Sequence, residues 1–172
     1  MKKVLQFSGL ISLVLAVVAF ILMMATNAIV QSSGSLQVVT EGTKAIFGKV
    51  EHGTLIDVEY KLAPMALIAW ILILVGMIIV LAGVVLPLLK VTALEKFAGI
   101  LNLVALVCFV LGGIFMFIIV PSYFTANGVE ASDIPDNAKI GAGWVIGGII
   151  AIAAGAFAIL PAAAAFIGSK KK

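Results

Sequence analysis

The chain of 172 residues contains no arginine, a single cysteine, Cys108, and a single histidine, His52. One cysteine excludes an internal disulfide, and with it the stapled scaffolds that small secreted domains use where a core is too small. One histidine excludes a site built on several imidazoles. Charge is scarce too: 11% of residues are Asp, Glu or Lys, against 63% hydrophobic, whereas a soluble domain carries roughly a quarter of its residues charged. So few polar groups cannot cover a water-facing surface, and the apolar excess must face lipid. Four long runs lack any Asp, Glu, Lys or His: Val4–Val30, Leu62–Leu89, Phe97–Tyr123 and Ile140–Ser169. A helix crosses the hydrocarbon in about 20 residues, so each run is long enough.

Backbone groups in lipid must pair internally, which permits helices or closed barrels. The runs are continuous, without the short alternating segments of barrel strands. The expected fold is therefore an all-α integral membrane four-helix bundle, one membrane domain over 1–172. Its spans fall at 4–28, 63–89, 94–121 and 140–168. Loops at 29–62 and 122–139 lie on one side, and a basic tail at 169–172 lies on the other. The lysines orient it. Lys2, Lys3, Lys90, Lys96 and Lys170 to Lys172 face one side with Glu95, a net +6. Lys44, Lys49, Lys61 and Lys139 face the other with Glu41, Glu51, Asp57, Glu59, Glu130, Asp133 and Asp136, a net −3. Positive charge stays inside, so both termini are expected in the cytoplasm of a cell-membrane protein. The basic pI of 9.1 then follows from membrane asymmetry and calls for no nucleic-acid partner. The start, "MKK" with an apolar run ending "ATNA", also fits a cleaved signal peptide. The run exceeds a signal's apolar region, and retention as the first span is the preferred expectation.

The segment Glu41–Lys61 holds seven of the nineteen charges and the histidine. Ile56, Val58, Tyr60 and Leu62 alternate with Asp57, Glu59 and Lys61, the period of a half-buried strand, and Gly53 suits a turn. A β-hairpin on the outer side is expected, Lys44–Val50 against Leu55–Lys61, with Ile46, Phe47, His52, Ile56, Val58 and Tyr60 as its site residues and its apolar face resting on the helix ends. Leu36–Thr40 supplies a possible third strand. "QSSGS" before it reads as a flexible link, and the second loop shows no strand pattern. Pro64 fits the first turn of the second span, Pro121 marks the outer end of the third, and Trp70, Trp144 and Tyr123 sit where interface anchors sit.

Helices in lipid associate through close backbone approach at small residues. The fourth span carries Gly143, Gly147, Ala151 and Gly155 every four residues. The second carries Ala69, Gly76 and Gly83, and the third Ala98, Ala105 and Gly112, every seven. These stripes are expected to pack helices within the bundle, with an intermolecular face as the alternative. Asn102, the most notable polar residue within a span, is expected to bond between helices. Cys108 reads as apolar packing. His52 lies beside Glu51 with Asp57 and Glu59 across the turn, residue types that can ligate zinc. A lone turn histidine is ordinarily solvated, and no metal or cofactor is expected. No nucleophile and base occur together at membrane depth, so no catalysis is expected.

The order of helix, long stranded loop, helix, short turn, helix, shorter loop, helix and tail resembles the claudin and related tetraspan membrane proteins over the whole chain. The claudin signature of the first loop, a Trp with Gly-Leu-Trp and a Cys pair, is missing. The resemblance therefore implies the architecture, with the hairpin outside the cell, and transfers no functional residue. "GTKAIFG" followed by "APMALIAWILILVGMIIVLAGVVL" is also similar to small four-helix membrane proteins of bacteria. The leading expectation is a protein that acts by association, as scaffold or accessory subunit, with lipid, a further copy or another membrane protein as partner. The alternatives are a small oligomeric channel or transporter subunit lined by Asn102 and the glycine-rich fourth span, and a lipid-binding membrane organiser.

Overall fold

The structure is a computed structural model that describes the backbone of residues 2–52, 57–85 and 92–169, and the side chains of 7–52, 59–85 and 97–163. Ile56, Gly53, Pro87, Lys90 and Lys170 to Lys172 lie outside the described residues, as do the side chains of Val58, Lys2, Lys3 and Lys96. The elements in chain order are α1 (Lys2–Ala25), β1 (Asn27–Ser33), β2 (Leu36–Glu41), α2 (Gly42–Phe47), β3 (Lys49–His52), β4 (Asp57–Tyr60), α3 (Pro64–Val85), α4 (Thr92–Phe117), α5 (Ile119–Ala126), β5 (Ala138–Ile140) and α6 (Ala142–Ser169). A 3₁₀ turn at Ala131–Asp133 precedes β5.

Helices α1, α3, α4 and α6 are each long and apolar enough to cross a membrane. The 22 residues of α3 span about 33 Å at 1.5 Å per residue, close to the thickness of the hydrocarbon. They form a ring in which α1 packs on α3, α3 on α4, α4 on α6 and α6 back on α1. Large apolar side chains such as Val14, Ile21, Ile78, Val107 and Ile149 face outward, as lipid-facing surfaces require. The interior holds Ala16, Val80, Ala105, Phe109, Ala154 and Ala158, and nearer the loops Met23, Ile73, Met116 and Trp144.

The small residues are where the helices meet. A Cβ on Gly76 would lie 2.6 Å from Phe109 Cε1, one on Gly112 2.9 Å from Ile73 Cγ1, and one on Gly83 2.9 Å from Asn102 Nδ2. On α6, Gly143 abuts Thr26, Gly147 faces Met116 and the Ala19 carbonyl, and Gly155 faces the Leu106 carbonyl and Val110. Ala69, Ala98, Ala105 and Ala151 are buried. The stripes thus lie in contacts inside one chain.

Pro121 does lie at the outer end of the third span, just past Phe117, but a short helix follows. Helix α4 stops at Phe117, and α5 continues to Ala126 after a break at Ile118. Proline has no N–H to return to the carbonyl four residues back, here that of Phe117, and its ring crowds that carbonyl. The helix therefore breaks before Pro121, which then sits in the first turn of α5.

The strands form two sheets. One has the order β2–β1–β5, all antiparallel, and the other pairs β3 with β4. Three expectations are corrected here. Lys44–Phe47 is helix, so of the first hairpin arm only Lys49 and Val50 are strand, which runs on to His52. The stretch read as a flexible link is the end of β1 and a tight turn, with Ser33 opposite Leu36 and Gly34 at φ +61°. Such two-residue turns need positive φ, which glycine accepts. The second loop does contain a strand, β5, held against β1 with Ile29 opposite Ile140.

Candidate functional site: the layer over the bundle end

The end of α1 anchors the layer. The last carbonyls of a helix lack partners within it, and here those of Leu22 and Met23 find them. The Leu22 carbonyl accepts from the Thr26 hydroxyl at 2.6 Å and the Thr26 N–H at 3.1 Å. The Met23 carbonyl accepts from the Trp144 indole N–H at 3.0 Å, and the Thr26 carbonyl from the Gly42 N–H at 2.9 Å. Gly42 lies so close to Met23 O that a side chain there would collide with it. Trp144 is wholly buried; it closes the joint between α1 and α6 and is no interface anchor. Tyr123 is also buried, its hydroxyl paired with Thr40, and burial raises its pKa. Trp70 is half-buried, with Phe20 at 5.9 Å and the edge of Phe47 at 5.3 Å between ring centres.

Helix α2 plugs the centre of this end. Ala45 and Ile46 are fully buried, and the Ala45 carbonyl accepts from the Ala63 N–H at 2.8 Å, just before α3. Gly48 ends α2 at φ +70° with its N–H on the Lys44 carbonyl, and a Cβ there would meet the Tyr60 carbonyl at 2.8 Å. The chain then leaves directly into β3.

Lys44 organises the charge. Its ammonium lies 2.6 Å from Glu51 Oε1, 3.9 Å from Glu41 and 5.8 Å from the centre of the Tyr60 ring, while Lys49 approaches Glu51 at 3.4 Å. The hydrogen bond with Lys44 lowers the Glu51 pKa and raises that of Lys44. Asn127 ties the two loops together. Its Oδ1 accepts from Lys61 N–H at 2.9 Å, and its Nδ2 donates to the carbonyls of Tyr123 at 2.9 Å and Lys61 at 3.3 Å. Ser122 Oγ accepts from Met65 N–H at 3.1 Å, satisfying an otherwise unpaired donor in the first turn of α3.

The residues expected on the hairpin separate. Ile46 is core, Phe47 is 49% exposed, His52 is exposed opposite Asp57, and Tyr60 is half-buried opposite Lys49. Val58 pairs with Glu51 in β4. Phe47, Val50, Glu59 and Leu62 line a shallow open groove of about 580 Å³ that reaches Ala126. A second groove of about 440 Å³ begins there, between Pro64, Met65, Pro121 and Thr125. Among the described residues no cluster of three metal-ligating side chains occurs.

Asn102 is 2% exposed. Its Nδ2 donates to the Ala98 carbonyl of its own helix at 2.8 Å, and its Oδ1 has no partner. Among the described residues the expected interhelical bond is therefore absent, because the facing residue is Gly83, which offers room and no side-chain donor. Polar bonds that do cross helices among the described residues include Ser12 Oγ to the Ala154 carbonyl at 2.7 Å, beside the Trp144 bond to Met23.

Sequence reasoning missed α2, β1, β5, Lys44 as the charge centre and the Asn127 clamp. Two signals were present: Gly48 as a helix stop, and "VQSS" and "LQVV" set almost symmetrically about Gly34-Ser35. No protein-family model matches the chain, and no curated protein is significantly similar to it.

Proposed function

We propose that this is a multi-pass cell-membrane protein that acts by association, as scaffold or accessory subunit, through the layer over its bundle end. In this reading the termini are cytoplasmic, the layer is extracellular and the topology is claudin-like. The charge asymmetry of the lysines supports that orientation. The observation that carries the reading is a contrast between surfaces. The small-residue helix faces lie in contacts within the chain. The layer is clamped to the helix ends yet leaves Phe47, Val50, Leu36 and Val38 exposed. Apolar side chains held out on a rigid frame are what a binding surface needs. A transport pathway lined by the α6 glycines would have to open the contacts that now hold α6 to α1 and α4. No catalytic role is proposed.

The test is photocrosslinking from positions 47 and 50 in native membranes, with mass spectrometry of the adducts. One recurrent protein adduct, this chain included, is the expected result. Adducts scattered over many proteins, or lipid adducts alone, would overturn the reading.

A further inference from the structure

The β2–β1–β5 sheet has two edges, and β5 is only three residues long. The other edge, β2, is six residues long and stands almost wholly exposed, Leu36 at 73% and Val38 at 64%. Natural edge strands are usually blunted with lysine, proline, a bulge or a covering element. Leu36–Thr40 contains no lysine or proline. The irregularity in the β1–β2 pairing lies on β1, between Asn27 and Ile29, opposite the Thr40–Glu41 end of β2, and the pairing from Leu36 to Thr40 is regular. The element that follows, α2, turns into the bundle end and carries the chain to β3, which pairs with β4 in a separate sheet. Among the described residues, the outer side of β2 is thus a row of backbone donors and acceptors without a strand.

Which groups face outward follows from the turn. Ser33 and Leu36 flank the two-residue turn and exchange hydrogen bonds, and antiparallel pairing alternates from there. With Gln31 opposite Val38 and Ile29 opposite Thr40, Leu36, Val38 and Thr40 bond inward. Gln37 and Val39 present N–H and C=O outward.

We propose that this edge is a homophilic site, at which β2 pairs antiparallel with β2 of a second copy about a two-fold axis through Val39. The inference rests on the association reading and names its partner. The strand is self-complementary in this register. Val39 faces Val39, exchanging both backbone hydrogen bonds. Val38 faces Thr40. Gln37 faces Glu41, so the amide N–H₂ of each meets the carboxylate of the other. No like charges oppose each other, an arrangement that cross-strand pairs penalise. A two-fold contact of one patch with itself closes at the dimer, so the edge is capped without open-ended growth.

The test uses the full chain in lipid nanodiscs, with Cys108→Ala removing the only native thiol. Directly opposed hydrogen-bonded residues have Cα atoms about 5.5 Å apart, within disulfide reach. Val39→Cys should therefore oxidise to a covalent dimer under copper–phenanthroline and air. Gln37→Cys should not, since the two copies of residue 37 are offset by four residues, about 14 Å. Val39 is already partly exposed, so Val39→Lys leaves the fold intact while setting two ammoniums face to face. It should convert the chain to monomer, and mixing it with Val39→Glu should restore dimer. Equal crosslinking at 37 and 39, or a dimer by sedimentation that Val39→Lys leaves unchanged, overturns the β2 site and leaves association through another surface. A monomer at every concentration, with a foreign protein adduct from positions 47 and 50, also overturns it alone. A monomer without any recurrent adduct removes both readings.

Discussion

Gly76 offers the sharpest test of how the bundle is held. A Cβ added there would lie 2.6, 2.9 and 3.1 Å from three carbons of the Phe109 ring. Real Cβ atoms sit no closer than about 3.4 Å to a neighbouring carbon at ordinary contact, so ring or helix must shift by several tenths of an ångström. Phe109 is fully buried with Ala16, Val80, Ala105 and Ala154 around it, and a close-packed interior has no space to receive it. Overpacking of this kind costs about 1–3 kcal/mol, and Gly76→Ala is placed in the upper half of that range, because the ring is penned on all sides. Phe109→Leu alone should cost about 1–2 kcal/mol through the volume it leaves. In the double variant the methyl fills part of that volume. The two costs should then fall short of adding by at least about 1 kcal/mol, the coupling expected of residues in contact. Equilibrium unfolding in bicelles titrated with a denaturing detergent reads all four corners of the cycle. Strict additivity, or a Gly76→Ala that leaves the monomer as stable as before while dissociating an oligomer, would show that this face serves another molecule and refute the packing argument.

Two further outcomes follow from the layer. The folded-state pKa of Glu51 is lowered by Lys44, so the stability that it contributes is present above its ordinary value of 4.5 and is lost as pH falls through the lowered one. Carboxyl NMR should find its midpoint below 4.5, and Lys44→Met should return it toward that value. Asn127→Ala removes the bonds to Lys61 and Tyr123 and should cost about 1 kcal/mol. Its mark is a broadened spin-label distance between positions 59 and 130 with the helix bundle's thermal transition nearly unmoved; an unbroadened distance would show that the clamp is idle.

The four spans were legible because lipid imposes one solution on an apolar run, whatever its tertiary context. The small-residue stripes were legible as spacing, and the packing partners were not, since Gly76 meets Phe109 only through the three-dimensional ring of helices. Segments over the bundle end were harder. Lys44–Phe47 has six-residue helical company at most, too short to show a helical period, and Ile46 and Phe47 favour strands when read locally. It is helix because Ala45 and Ile46 fill the bundle end and Gly48 stops the turn. β1 is mostly small and polar, and it becomes a strand through neighbours on both sides. One of them lies over a hundred residues away, where Asn137 donates to the Ser32 carbonyl at 2.6 Å. Asn102 was visible as a buried polar group, yet its bond depended on Gly83 opposite, which no local pattern reports.

The helices sit around the ring in the order in which the chain makes them, each beside the one before. Neighbours of this kind find each other at little loop-closure cost. The contact between α1 and α6 is the exception, as it joins the two extremes of the path. The same exception recurs in the sheet, where β5 reaches back to β1, and β5 runs into α6 through Gly141 alone, whose N–H is held by the Ala28 carbonyl at 2.8 Å. The helix that closes the ring is therefore joined directly to the strand that completes the sheet. Closure of the ring of helices and completion of the sheet are thus tied together through one residue.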